Sequence, residues 1–380
     1  MVAYSSAPEI AVTGLAWMTA LGDDLENVWS RTLAGETGFV NIPCTYPLRN
    51  QLAAPVALVD PEIHPAERLR RMTYRTARRA MMDASLSPTD SRLQLIMGTS
   101  FGDFLERDDN ACPSLHTWAQ DVAQELGVTN SPISVSTACS SGSDAILLGA
   151  ELIRAGVADL CVCGGIDILT LSKRLAHSNL GTMSSTLLRA FDQRHDGTLL
   201  GEGAAFLVLE AGSRASERAA SVYGFLRGIG SANDAATMTG PDLTGAGARL
   251  AIQRALIDAG LEPEDVDLVN AHASGTPLND TVERDTLKAV FDNTAGPLVF
   301  ATKGNFGHTL GATGAIEAIA LILALRKQLI PPIVHLEEPD PEFPFPLPLH
   351  AAVRCDARIG LSLTLGFGGF NTCLLFEVDR

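Results

Sequence analysis

Three side chains in this 380-residue sequence, one cysteine and two histidines, have the types and settings that nucleophilic chemistry needs. Cys139 lies in TACSSGSDAILL, between the apolar run ISVST from residue 133 and a helical pattern that begins just after it. A sulfur at a helix N-terminus sits at the end of the helix dipole that stabilises thiolate. Most cysteines are buried structural residues. Here Ala138, Ser140, Ser141 and Gly142 leave room for a substrate, and the Cys139 amide is expected to donate to an oxyanion. His272 in NAHASGTP and His308 in GNFGHTLGATG each follow an apolar run and sit in a turn, the strand-end setting that commonly holds catalytic groups. The other six histidines lack that setting. Lys303 precedes His308 by five residues and Glu317 follows it by nine, so a lysine–glutamate pair is expected to orient His308 and keep it neutral. TLGFGGFN at 364–371 reads as a turn between strands that exposes backbone N–H groups, with the Phe367 amide as the second oxyanion donor. It lacks the spacing and the following helix of a dinucleotide fingerprint.

The elements that must hold these residues alternate between strand-like and helical patterns, which is α/β organisation with covered sheets. IAVTGLA, a helix over 25–33, LQLIMG from residue 93, a helix near 115–126, ISVST, the helix after Gly142, LCVCGG and AAFLVLEAG make one series. From Tyr223 the order restarts with YGFLRGIG, a helix over 247–260, LVNAHAS, a helix over 280–291, LVFAT, a helix over 312–327 and C-terminal strands. TACSSGSDAILLGAEL and KGNFGHTLGATGAIEA, each a short motif leading into a small-residue helix, mark a duplicated unit with halves 1–223 and 224–380. The proline-dense PPIVHLEEPDPEFPFPLPLH is excluded from helix and central strand and is expected on the surface.

Composition limits the function classes. With 28 basic and 44 acidic residues the net charge is −16, which argues against a nucleic-acid binder. No stretch approaches the roughly 20 apolar residues of a membrane span, and the opening residues lack a secretory pattern, so a cytoplasmic protein is expected. The seven cysteines are scattered and odd in number, so reduced thiols are expected, with Cys161 and Cys163 buried on a strand and no zinc site. RLRRMTYRTARRA at 68–80 is a local basic run in an acidic chain, suited to an acidic partner.

Together these segments resemble the elongating β-ketoacyl-acyl-carrier-protein synthases of fatty-acid and polyketide assembly, and the resemblance runs nearly end to end. Thr137–Gly142 matches the family's T-A-C-S/T-S-G, residues 270–277 its N-A-H-G-T-x-T-P, and Lys303 through Gly314 its K-x-x-x-G-H-x-x-G-A-x-G. FDQRHDGTLLGEGA at 191–204 and the Gly366–Gly369 turn match two further motifs. The resemblance implies a thiolase-like five-layered αβαβα fold built from two similar halves. It also implies a dimer, either of identical subunits or with a related ketosynthase-like subunit, and a Cys139–His272–His308 active site with Lys303 and Glu317 in support. Acyl carrier protein is the implied partner. Substrates would ride on its phosphopantetheine arm, contacted by Ser274 and Thr276 and bordered by Phe367 and Gly368, with no bound cofactor. Arg70 and Arg71 match where the family docks its carrier, and Arg75 of the same basic run is expected to dock it with them.

The sequence departs from the family at Ala273 and Ser274 (usually Gly and Thr), His195 (usually Arg), Leu365 (usually Phe) and Thr237 (commonly His), and its segment between Asp103 and Ser131 is shorter. Two other readings stand beside condensation: a non-condensing acyltransferase on the same scaffold, and a non-catalytic chain-length partner subunit, against which the intact Cys139, His272 and His308 argue. Thiolase fits less well, because Cys373 lies beyond GFGGFN in a strand-like run.

Overall fold

The computed structural model describes residues 8–106, 114–292 and 294–379; Cys112 lies outside them. Ten strands form its main sheet. In chain order they are β1 (Ile10–Met18), β2 (Leu93–Gly98), β3 (Ile133–Val135), β4 (Leu160–Asp167), β5 (Gly203–Ala211), β6 (Gly224–Asn233), β7 (Leu268–Asn270), β8 (Leu298–Phe300), β9 (Ile359–Gly366) and β10 (Phe370–Glu377). Their spatial order is β8-β7-β9-β10-β6-β1-β5-β4-β2-β3.

Read inward from each edge, the first five strands and the last five follow the same order, third-second-fourth-fifth-first. The pairing senses match too. β3–β2 and β2–β4 are parallel while β4–β5 and β5–β1 are antiparallel. β8–β7 and β7–β9 are parallel while β9–β10 and β10–β6 are antiparallel. The two units meet where β1 pairs antiparallel with β6 at Ala11–Phe225 and Val12–Gly224. The similarity of the two motif-plus-helix segments in the sequence is therefore a duplication of topology.

Five layers follow from which helix faces are apolar. α1 (Pro65–Asp83) packs on β1, β4 and β5, on the outer side of the first unit, and α4 (Ala246–Ala259) packs on β6 and β10, on the outer side of the second. Between the units lie α2 (Ser141–Arg154) and α6 (Thr313–Lys327), in contact with each other and with strands of both units. From Thr313 to Leu325 every residue of α6 is buried, as a helix apolar all round must be. Gly142 in α2 lets the two helix starts approach, since a Cβ there would come 2.9 Å from the Gly311 carbonyl oxygen. α3 (Leu171–Asn179) and α5 (Pro277–Phe291) border the site described below. The apolar core divides accordingly into a central cluster and two outer ones.

The proline-dense segment departs from expectation at its start. It is irregular throughout, but residues 331–334 and Leu336 are buried, with Ile333 and Leu336 completing the second outer core. Prolines supply no N–H, so such a stretch can pass through apolar surroundings with few donors left to satisfy.

Candidate active site

Cys139 sits in a single 3-10 turn, Ala138–Ser140, between β3 and α2. Ala138 holds the left-handed region, φ 52°, which residues other than Gly, Asn and Asp seldom adopt. The second unit repeats the device, with Leu310 at φ 51° opening the 3-10 turn Leu310–Ala312 ahead of α6. Its counterpart of Cys139 is Gly311, so one unit carries a sulfur at this turn and the other a bare backbone.

The sulfur differs from the stabilised thiolate expected of a helix N-terminus. Cys139 is only 4% exposed. Burial pushes its thiol up to about 11, against the smaller pulls of the Phe367 N–H that donates to it and of the Lys303 charge. The free sulfur is therefore a protonated thiol near neutral pH.

His272 follows β7 and His308 follows a short helix, Lys303–Phe306, beyond β8. Their rings meet edge to face at 5.3 Å. Burial and the Lys303 charge hold both well below the usual imidazole range, so both are neutral. Their tautomers follow from what Nδ1 touches. Leu310 N–H donates to His308 Nδ1 at 3.1 Å, which leaves the ring proton on Nε2. An ammonium can only donate, and Lys303 Nζ lies 3.3 Å from His272 Nδ1, which likewise leaves the proton on Nε2. Two Nε2–H donors result.

Lys303 thus differs from the sequence expectation in one respect. It bonds Glu317 as expected, but it also donates to the His272 carbonyl oxygen, so the ring it contacts is His272. His308 is instead held by the Leu310 amide and by Thr313 Oγ1 at 3.2 Å, and feels Lys303 only through its field. Burial pushes the Glu317 carboxyl up to about 7, with Lys303 opposing.

Cys139, His272, His308, Ser274, Thr276 and Phe367 all line one cavity of about 370 Å³. The Ser274 and Thr276 hydroxyls lie 3.0 Å apart on its wall. Gly368 does not line it; the Gly368 N–H donates to Met238 O at 2.8 Å, fixing the β9–β10 turn to the loop after β6. Leu365 is a buried part of the wall. Thr237 is exposed and closes its own turn with Gly240, which borders the cavity. His195 bonds Asp280 at 3.1 Å, and Asp280 also accepts the N–H of Gly275, so the departure at 195 props the Ser274–Thr276 loop.

Two residues escaped the sequence reading. Glu283, on α5, accepts the N–H of His272 at 2.6 Å and of Ala273 at 2.7 Å, while burial pushes its carboxyl up to about 8. It fixes the His272 loop even though Ala273, where the resemblance has glycine, is left at φ 45°. His177, on α3, lines the cavity and stacks on Phe367 with centroids 5.7 Å apart. Spacing to a helix end was the only signal for the first, and nothing in its neighbours marked the second.

The basic run on α1 is largely paired. Arg68 is buried against Glu202 and has no docking role open to it. Arg70 is held by Glu67 and Glu125, Arg71 by Glu67, and Arg75 lies 3.6 Å from Asp23. Arg71 and Arg75 remain the more exposed, which leaves a weaker basic face than the sequence count implied.

The family description "Beta-ketoacyl synthase, N-terminal domain" matches residues 7–215, and "Beta-ketoacyl synthase, C-terminal domain" matches 223–337. The chain is 32% identical to a mitochondrial 3-oxoacyl-[acyl-carrier-protein] synthase of Arabidopsis thaliana, over 98% of this chain and 94% of that one. It is 30% identical to 3-oxoacyl-[acyl-carrier-protein] synthase 2 of Staphylococcus aureus, strain N315, over 98% and 99%. Among solved structures it is similar to the ishigamide ketosynthase/chain length factor, with TM-score 0.90 and 28% identity over 99% and 100% of the two chains. It is also similar to a type II polyketide synthase ketosynthase solved in complex with its acyl-carrier protein and bound to the hexaketide, with TM-score 0.91 and 26% identity over 98% and 100%. A β-ketoacyl synthase from Burkholderia phymatum STM815 gives TM-score 0.88 at 30% identity, over 98% and 100%.

Proposed function

This chain belongs to the β-ketoacyl synthase family, and we propose that it condenses an acyl chain held on Cys139 with a malonyl carrier protein, releasing CO2 and giving a β-ketoacyl carrier protein. The observation that carries the reading is the pair of neutral Nε2–H donors beside a buried thiol in one cavity.

In the first half-reaction the Cys139 sulfur attacks the carrier-bound thioester. The amides of Cys139 and Phe367 hold the tetrahedral oxyanion, the C–S bond to the pantetheine breaks, and the thiol proton ends on the departing pantetheine sulfur. In the second, the malonyl C–C bond to the carboxylate breaks and CO2 leaves. His272 and His308 donate to the enolate oxygen as charge develops there. The enolate carbon then attacks the acyl-Cys139 carbonyl, the C–S bond to the enzyme breaks, and the sulfur is reprotonated. Neutral imidazoles suit this task, because they donate without giving up a proton. Lys303, bonded to Glu317, fixes the His272 tautomer, and the Ser274 and Thr276 hydroxyls face the pantetheine arm.

Acyl carrier protein is the partner, with the more exposed Arg71 and Arg75 as the first basic contacts and Arg70, held by two acids, engaged only after exchange of them. β3, a short edge strand half-exposed along its length, is the edge along which a second subunit of the same or a related kind would pair. No described helix is long and apolar enough to cross a membrane; the cytoplasm is the compartment we propose.

Reconstitution with an octanoyl carrier protein and a malonyl carrier protein tests the reading. A product two carbons longer, lost in Cys139→Ala and in His272→Ala, supports condensation. Octanoyl transfer to another acceptor without elongation would support the acyltransferase reading instead.

A further inference from the structure

The proposed first half-reaction asks the Phe367 amide to meet a carbonyl oxygen at Cys139, so the Phe367 turn must be held in place. Its backbone is fixed from outside the cavity, by Gly368 N–H to Met238 O and by Asn233 Nδ2 to Gly368 O at 2.9 Å. Its ring is fixed from inside. Among the described residues the aromatic partner of Phe367 is His177, with centroids 5.7 Å apart and planes 20° from parallel. His177 is itself locked. It lies in the last turn of α3, is 8% exposed, and has Nδ1 3.0 Å from Thr182 Oγ1 just past the helix end.

We propose that His177 is a positioning residue for acyl loading: its ring, anchored by Thr182, stacks on Phe367 and keeps that residue's amide directed at the Cys139 sulfur. The inference rests on the condensing reading given above. It bears unequally on the half-reactions, since the second relies on His272 and His308, whose Nδ1 contacts come from Lys303, Leu310 and Thr313, and His177 reaches His308 only through a minor electrostatic effect. His177 touches no reacting atom in this scheme and acts through Phe367.

The difference gives a test that loss of stability alone would not mimic. Wild type, His177→Ala and His177→Phe are mixed with octanoyl carrier protein, and the rate of Cys139 acylation is followed by intact mass. CO2 release from malonyl carrier protein is measured in parallel on the unacylated enzymes. An offset-stacked pair of this kind supports an expected slowing of acylation of about five- to tenfold in His177→Ala. CO2 release is expected to stay within twofold, and His177→Phe, which keeps a ring against Phe367 but loses the Thr182 bond, to recover acylation to a rate between those of His177→Ala and wild type. Acylation at wild-type rate in His177→Ala would overturn the inference. So would equal loss of both half-reactions with no rescue by phenylalanine. If wild type itself is never acylated, the condensing reading falls first.

Discussion

The Lys303 ammonium lies 3.3 Å from Nδ1 of His272, and that contact decides which nitrogen of the ring carries the proton. A base at Nδ1 facing a group that can only donate must present Nε2–H elsewhere, toward the cavity in which Cys139 and His308 also stand.

Removing that donor is expected to free the tautomer and leave Glu317 buried without its partner. Lys303→Ala is therefore expected to slow decarboxylation of malonyl carrier protein by about 10–100-fold, somewhat less than the roughly 100–1000-fold that complete loss of an oxyanion donor costs, while acylation of Cys139 falls much less. Separate single-turnover assays check this. Equal slowing of both steps would show that Lys303 serves the fold and not the His272 ring.

Thiol chemistry gives a second expectation. With burial holding the Cys139 thiol up to about 11, the thiolate fraction grows about tenfold per pH unit well past neutrality. Alkylation of Cys139 by iodoacetamide, followed by peptide mass, is expected to accelerate from pH 7 to 10 without levelling. A plateau below pH 9 would restore the helix-stabilised thiolate.

Much of the candidate site's geometry was legible because its motifs are local in sequence. Cys139, His272 and His308 each sit in a motif that sets both the turn and the helix that follows it. What escaped depends on where distant segments meet. His177 stacks on a turn 190 residues later, and Glu283 meets two amides presented by another loop. Sequence proximity places Lys303 beside His308, yet the chain folds its ammonium back to His272. Arg68 belongs to the basic run at 68–80 and is buried against Glu202. The duplication was visible as two similar motif-plus-helix segments; the matching strand order needed the pairing itself.

Backbone strain beside His272 leads to a third expectation. Ala273 is buried at φ 45°, a conformation that glycine adopts without the steric cost of a Cβ. Ala273→Gly is expected to stabilise the fold by about 1 kcal/mol, which in a chain of this size raises Tm by about 1–2 °C. Calorimetry of both forms decides it, and a lower Tm would show that the alanine methyl contributes more by packing than the strain costs.

Acid is expected to weaken the fold through its buried histidines. Burial and the Lys173 charge bring His177 down to about 4, and His272 and His308 are held well below their usual range. Between pH 6.5 and 4 the unfolded chain binds protons that folded His177 refuses, so stability is complete above 6.5 and declines as pH falls toward 4. The slope is about 1.4 kcal/mol per pH unit for each such ring. Urea titrations across pH 4.5–7 measure it, and His177→Phe is expected to flatten the slope by one proton. An unchanged slope in that variant would mean that His177 titrates in the folded protein much as it does in the unfolded chain.

The most direct measurement is the intact mass of wild type and Cys139→Ala after incubation with an octanoyl carrier protein, followed by a malonyl carrier chase. The expected result is one octanoyl adduct, in wild type only, that disappears on the chase as a ten-carbon β-ketoacyl carrier protein forms. An adduct that survives the chase, or that forms equally without Cys139, would contradict the account.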